Sequence, residues 1–572
     1  AYTHGIRRRL PRLCPAAPHQ YASDGRVALI AIFGRPDKGA GLIGQRIVVG
    51  GWVTSSKAFI RNEPSAAEKP PGPIVRPNPN KDFSCAEILQ TAIPLTRSIF
   101  RIFGMNAQTP PEKPERRTVP RPTPPPTAVL QIGDGSCVPC LHVVVEPSVS
   151  PAEQLLATGT CVLVKGVVVK PPPDGKHEIQ LIAEKVLHIG MVDAGTYPLS
   201  KKRLPLESLR DWLHLRHRTR TVAAIMRIRA ALAAATNTFL QTHGFLCVHV
   251  PVLTTTDTAP PSDKFRVAAA SSPAPREKRT LAEELKLTEK QRGSKTEAVG
   301  CPEDYFERPT FLTVSGRMHL ESYACALGNV YSFGPRFQPP PPGSENQAAE
   351  MWMLEIEMAF AELEGAVNCA CDLVGFISEW VRENCSEDMK FLSKRARKSC
   401  IGHLQSVTAA SFERISYRDA VEQLRKVPEK KFVGSGMAWG AALTEEQLGY
   451  LADEIYKKPI MIFDFPKEVK PFHARLNDDG ITVASFHLVL PKAGTLIWGT
   501  QNEERIDLLE KRIKELGLER EEYEWYLELR RHGSAKHSGI TLAFDQLVLA
   551  ATGMADLREV IPFPRTSPTI LH

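Results

Sequence analysis

At 572 residues the chain exceeds the size at which one hydrophobic core stops growing, so two or more domains are expected. Its 42% hydrophobic and 24% charged residues suit an ordinary folded protein, and no run of about eighteen apolar residues is present to span a bilayer, so no membrane partner is expected. A formal net charge of +8 permits a polyanionic partner without requiring one, and twelve scattered cysteines suit a reducing compartment rather than a disulfide scaffold.

The first twenty-three residues carry Arg7, Arg8, Arg9 and Arg12 with no acid before Asp24, which reads as a mitochondrial transit region and places the protein in the matrix. A basic solvated tail or an RNA-binding arm is the other reading of this 1–40 segment. The stretches GQRIVVGGWVTSS, TAVLQIGDGSCVPCLHVVV, TGTCVLVKGVVVK and KHEIQLIAEKVLHIG show β-branched strands split by turns, the pattern of a small all-β barrel over 41–192. Between its first two strands lies an insert, 58–126, whose proline-rich end cannot hold a ladder. Cys137 and Cys140 form a C-x-x-C, but no second pair completes a zinc site, so both are read as structural and no metal is expected there.

After a hinge, 193–217, RTVAAIMRIRAALAAATNTFLQTHG repeats apolar residues at helical spacing and closes on Gly244. FLCVHVPVL then reads as a buried strand, and 266–300 as a polar surface insertion. From 309 onward helical stretches alternate with apolar strands, as in a large mixed domain over 218–572. The fold class expected is α+β.

FLTVSGRMHLESYACALGNVYSFGPRF, MWMLEIEMAFAELEG, RLNDDGITVA, EERIDLLEKRIKELGL, WYLELRRHGS and VIPFPRT together resemble the class II asparaginyl-tRNA synthetases, collinearly from about residue 45 to the C-terminus. The resemblance implies an OB-fold anticodon-binding barrel followed by a catalytic-type domain on an antiparallel sheet. It also implies a first motif over 218–253 that forms a homo- or heterodimer.

Adenylate formation needs positive charge on the α-phosphate, hence guanidinium forks and metal-holding carboxylates. Set against the family, Gln338 stands where the second-motif arginine grips that phosphate, Pro340 where a glutamate reads adenine, and Asn346 and Gln347 where a basic pair meets the γ-phosphate. In the third motif Thr541 and Ala543 replace two glycines and Gln546 replaces the arginine. The magnesium carboxylates become His487 and Thr495, Trp498 replaces a glycine, and Arg317 replaces the glutamine of the amino-acid pocket. Asp257, Glu355 and Arg475 persist near that pocket. In the barrel Val129 replaces the phenylalanine that stacks an anticodon base, and Thr54 replaces an arginine.

These exchanges lead to the expectation of a catalytically inactive relative with no cofactor. It would serve as a structural or RNA-binding subunit of a large RNA–protein assembly, a mitochondrial ribosome with its rRNA and neighbouring proteins. The alternatives are a regulatory partner of an active synthetase or amidotransferase, and a residually active asparagine–tRNA ligase. The retained Gly316, Asn477–Gly480, Trp525, Tyr526 and Arg565 are read as residues that make the fold.

Overall fold

A computed structural model describes residues 25–59, 125–173, 177–200, 204–256, 264–267, 306, 308–340, 348–394, 412–427, 432 and 439–566. The basic tail to residue 24, most of both inserts, and Asp257, Asn346 and Gln347 lie outside the described residues.

Strands β1 (Arg46–Phe59), β2 (Thr127–Gly133), β3 (Leu141–Val145), β4 (Cys161–Val169) and β5 (Gln180–Gly190) close into a barrel in the order β1-β2-β3-β5-β4. The period of two decides which face turns inward: in CVLVKGVVV, Val162, Val164 and Val168 are buried and Lys165 is exposed. Each such valine contributes roughly 1.5–3 kcal/mol by burial, so a one-residue slip is strongly disfavoured. Leu29 and Ile32 of the short helix Leu29–Phe33 join the barrel core.

The second unit is built on an eight-stranded sheet. Its strands are β6 (Leu246–Cys247), β10 (Asn329–Phe337), β11 (Glu350–Ala359), β12 (Glu413–Ser416), β13 (Ile460–Pro466), β14 (Thr482–Leu490), β15 (Gly494–Gln501) and β16 (His537–Ala543), in the order β12-β13-β14-β15-β16-β11-β10-β6. All neighbours are antiparallel except the outer pairs β12/β13 and β6/β10. A small sheet β7-β9-β8 (Leu253–Thr254, Thr310–Leu312, Arg266–Val267) stands beside it. The α+β class expected from the pattern is what the chain adopts.

The helix Arg220–Thr242 starts at Thr219, whose hydroxyl accepts the Val222 N–H, and is followed by Gly244 at φ +81°. Its buried Val222, Ile225, Ile228, Leu232, Ala235 and Phe239 recur every three or four residues. With the helix Leu363–Asn384 it covers one face of the sheet, where Leu488, Ile497, Leu542 and Leu354 make the main core. Two features depart from the sequence reading. FLCVHVPVL is not a buried strand: β6 is two residues long, Leu246 is exposed, and it pairs on one side only because it forms the sheet's edge. Arg266 and Val267 belong to a strand rather than to an insertion, pairing with Phe311 and Thr310.

The barrel meets the second unit through its β2–β3 loop, where Arg227 donates to the Gly135 carbonyl at 2.5 Å and Arg220 to that of Val138 at 3.0 Å. Cys137 lies in this loop, and burial, reinforced by Asp134, pushes its thiol up to about 12. A thiol held protonated is a poor metal ligand. A cavity of about 930 Å³ opens between the units, lined by Trp52, Tyr197, Arg218 and Phe391 among others.

A Cβ at Gly166, where β4 is bulged against β5, would sit 2.1 Å from the Ile182 carbonyl oxygen, a backbone atom that cannot step aside. Gly166→Ala is therefore expected to destabilise the barrel by about 1–3 kcal/mol, read as a lower midpoint in denaturant unfolding followed by a barrel probe.

Candidate active site

Side chains directly paired across an antiparallel ladder share a face. One row of pairs runs Ile462, His487, Trp498, Thr541, Glu355 and Ser332 from β13 to β10; a parallel row runs Ser485, Thr500, Gly539, Glu357 and Val330. Both rows lie on the face opposite the main core. This face is the floor of the candidate site, and the helix Arg317–Leu327 lies over part of it.

Three carboxylates are wholly buried here, and each meets a guanidinium from another element. Glu355 takes Arg336 of β10, whose Nη2 and Nε both bond its Oε2. It also accepts the Ser315 hydroxyl at 2.7 Å and the Gly316 N–H at 3.0 Å. Gly316 allows this approach, because a Cβ there would sit 2.4 Å from Val250 and 2.7 Å from Arg336. Glu357 pairs with Arg317 at 3.1 Å, and Arg317 also donates to Thr500 at 2.8 Å. Burial lifts the Glu357 carboxyl above the ordinary range against the pull of Arg317. Glu321 accepts from Arg530 at 2.8 Å, Tyr526 at 2.7 Å and His537 at 2.9 Å. Burial would raise its pKa, but these partners, Arg530 foremost, hold it low. His473 lies in the same cluster, and burial pushes its imidazole down to about 3.

The residues singled out from the sequence are distributed as follows. Glu355, Arg317, His487, Trp498 and Thr541 share the floor. Gln338 is exposed at the end of β10, donating its backbone N–H to Ala349, and Pro340 follows it. Gln546 is half-buried on the helix Phe544–Thr552, and its amide donates to the Ala493 carbonyl. Ala543 ends β16, opposite Met353. Arg475 reaches Glu504 at 3.2 Å and is partly exposed. In the barrel, Val129 is half-buried on the outer face of β2. Thr54 sits at a bulge and donates to the Gln131 carbonyl.

Sequence reasoning missed Arg336, Glu357, Glu321, Arg530, His473 and Lys470. Arg336 and Lys470 carried one signal, a charge inside an otherwise apolar stretch (SFGPRF, VKPF). Their partners come from distant segments and left no trace in the spacing.

Magnesium takes near-octahedral oxygen ligands, usually carboxylates. The two positions where the resemblance implies such carboxylates hold an imidazole and a hydroxyl, and Lys470 presses its amine against His487 Nε2. Among the described residues no group of three His, Cys, Asp or Glu could hold a metal. The donors present do not fit magnesium.

Residues 207–567 match the model of the tRNA synthetases class II (D, K and N). The chain is 42% identical to asparagine–tRNA ligase, cytoplasmic 2 of Arabidopsis thaliana over 95% of each chain. It is 40% identical to asparagine–tRNA ligase of Protochlamydia amoebophila over 76% of this chain and 90% of that one. In fold it is similar to asparaginyl-tRNA synthetase from Pyrococcus horikoshii complexed with asparaginyl-adenylate, with a TM-score of 0.67 at 22% identity, covering 93% of this chain and 97% of that one.

These matches overturn three expectations: that the chain is not an enzyme, that it is a structural subunit of a ribosome, and that rRNA and ribosomal proteins are its partners. Relatives matching nearly its whole length are ligases. A count of charges removed at motif positions leaves out Lys470, which the fold brings to the same face.

Two outcomes follow from the buried cluster. Glu321→Gln leaves Arg530 without its counter-charge and is expected to cost about 3–5 kcal/mol in denaturant unfolding. The folded chain refuses a proton at His473 until about pH 3, while the unfolded chain takes one near its ordinary 6.5, so stability falls as pH drops below 6.5. In His473→Phe this acid-side slope of unfolding free energy against pH is expected to flatten.

Proposed function

The chain belongs to the class II tRNA synthetases of the D, K and N group, and from that membership we propose that it is an asparagine–tRNA ligase of low turnover. It activates asparagine with ATP as the adenylate and passes the asparaginyl group to tRNA. The observation that carries this reading is the 42% identity to asparagine–tRNA ligase, cytoplasmic 2 of Arabidopsis thaliana over 95% of each chain.

The chemistry asks for three things. The amino acid's ammonium needs a carboxylate, and Glu355 and Glu357 are the ones on the floor. The attacking carboxylate and the phosphates need cations held in place before reaction, since charge builds on the phosphoryl oxygens. Arg475, partly exposed beside the floor, is suited to the first, and Lys470 to the second. Gln338 and Gln546 offer neutral amides where the family uses guanidinium, so they bind more weakly to developing charge.

Loss of one charged donor typically slows such steps by about a hundred- to a thousandfold, and losses within one unit do not add. Purified chain with ATP, magnesium, asparagine and tRNA is expected to form asparaginyl-tRNA, at least about a hundredfold more slowly than an arginine-bearing relative, and in preference to the aspartyl product. Failure to charge above an enzyme-free blank, with prolonged incubation, would sink the reading. Returning guanidinium in Gln338→Arg is expected to raise asparagine-dependent ATP–pyrophosphate exchange by about tenfold or more.

A further inference from the structure

The two units meet without a common core: among the described residues the buried cluster of the barrel shares no member with those of the second unit, and the cavity of about 930 Å³ opens between them. At the β2–β3 loop the join is polar. Arg220 and Arg227 stand seven residues apart on the helix Arg220–Thr242, two turns along one face, and both reach this loop. Arg227 bonds in two directions. Its Nε and Nη2 grip the Asp388 carboxylate at 3.2 and 2.6 Å, and the remaining nitrogen, Nη1, donates to the Gly135 carbonyl.

A carbonyl carries only a partial charge and cannot neutralise a guanidinium, so an arginine drawn into this seam needs a carboxylate beside it. Asp388 supplies one from the first turn of the helix Ser386–Ser393, the two side chains being 14% and 19% exposed. The same helix carries Phe391, and Arg220 lies 4.9 Å from the centre of that ring while it donates to the Val138 carbonyl. Two helices of the second unit thus close on one loop. The loop in turn is tied into the barrel: Asp134 accepts the Leu29 N–H at 2.8 Å and the Ser136 hydroxyl at 2.6 Å, and Ser136 accepts the Ile30 N–H at 3.0 Å. Leu29 and Ile32 anchor that short helix in the barrel core. Rotation of the barrel against the large sheet has to pull this loop from the two arginines, and the cavity beside it leaves room for such a rotation.

We propose that Arg227 is a positioning residue for transfer of the asparaginyl group to tRNA: with Asp388 it clamps the β2–β3 loop and sets the angle of the barrel over the floor of the site. The proposal rests on the ligase reading and on the barrel as the part that holds the anticodon, which the resemblance implies. In the transfer, the ester to the terminal ribose hydroxyl of tRNA forms as the acyl–oxygen bond to AMP breaks, and the hydroxyl proton leaves with the phosphate. A tRNA held at the barrel is a long lever, so a small rotation there displaces its far end, and misplacing a reacting group by about 1 Å can slow a step about a hundredfold. Adenylate formation takes place on the floor and does not depend on the barrel's angle. Arg227 touches neither substrate nor reacting atoms and acts through the loop.

The test compares two reactions of the full chain: asparagine-dependent ATP–pyrophosphate exchange, which needs no tRNA, and the charging of tRNA. In Arg227→Met, exchange is expected to stay within about twofold of wild type while kcat/KM for tRNA falls about tenfold or more, chiefly through KM. A lysine ammonium lacks the fork that meets Asp388 and Gly135 together, so Arg227→Lys is expected to fall between the two. Joining Arg227→Met to Asp388→Leu removes the orphaned carboxylate and is expected to bring the denaturant midpoint back toward wild type with charging still low, a split that a merely structural role would not give. Charging unchanged in Arg227→Met, charging that falls in step with exchange, or charging that recovers with stability in the double variant overturns the clamp and leaves the ligase reading standing. A wild-type chain that charges no tRNA removes the ligase reading, and the clamp's role in transfer with it.

Discussion

A carboxylate cannot stay charged inside a protein without a cation at hand, and three such carboxylates sit above one sheet in this chain. Glu355, Glu357 and Glu321 are fully buried, and each is met by an arginine from a different element: Arg336 from β10, Arg317 from the start of the helix over the floor, and Arg530 from the helix Glu524–Arg531. These pairs do more than satisfy charge. Arg530 and Tyr526 tie the C-terminal helices to Glu321 on the covering helix, and Phe472, Met318, Leu509 and Leu527 pack beneath as a separate small core. The apolar side of the charge-rich helix Ile506–Glu515, Leu509 and Ile513, belongs to this small core.

This constraint shapes what chemistry is available. Arg317 and Arg336 are committed to the floor's own carboxylates, so neither is a spare cation for a phosphate. Two groups differ: Arg475, paired to Glu504 near the surface, and Lys470, which among the described residues meets the His487 imidazole and the Phe465 ring. A site that has given up guanidinium at 338 and 546 still carries an amine on the same face, Lys470 against His487 of β14, which burial pushes down to about 7.

The barrel stands in a looser relation to this floor. Among the described residues it meets the second unit at the β2–β3 loop and at Arg218, 5.7 Å from the Trp52 ring, with a cavity between them. Its outer face near Val129 carries Gln131 and His142, joined at 3.2 Å, and His142 stacks on His177. Burial and the neighbouring imidazole push His142 down to about 4, while exposed Lys57, the partner of Val129 across the ladder, adds a charge to this face.

Local pattern was enough for the barrel strands, because alternation of period two over GQRIVVGGWV or TCVLVKGVVV has one buried solution, and enough for the helix Arg220–Thr242, because its apolar period and flanking glycine admit no other. The family could be read from collinear motifs, and so could each exchange at positions such as Gln338, Gln546 and His487. The sequence by itself determined which groups are absent. Only the tertiary structure decided which charged groups meet, since the pairings of Arg336 with Glu355, Arg530 with Glu321 and Lys470 with His487 span 19, 209 and 17 positions of chain. No local period reports on such distances: they are fixed by sheet register and by the electrostatic demand of buried charge, which acts through space and not along the chain.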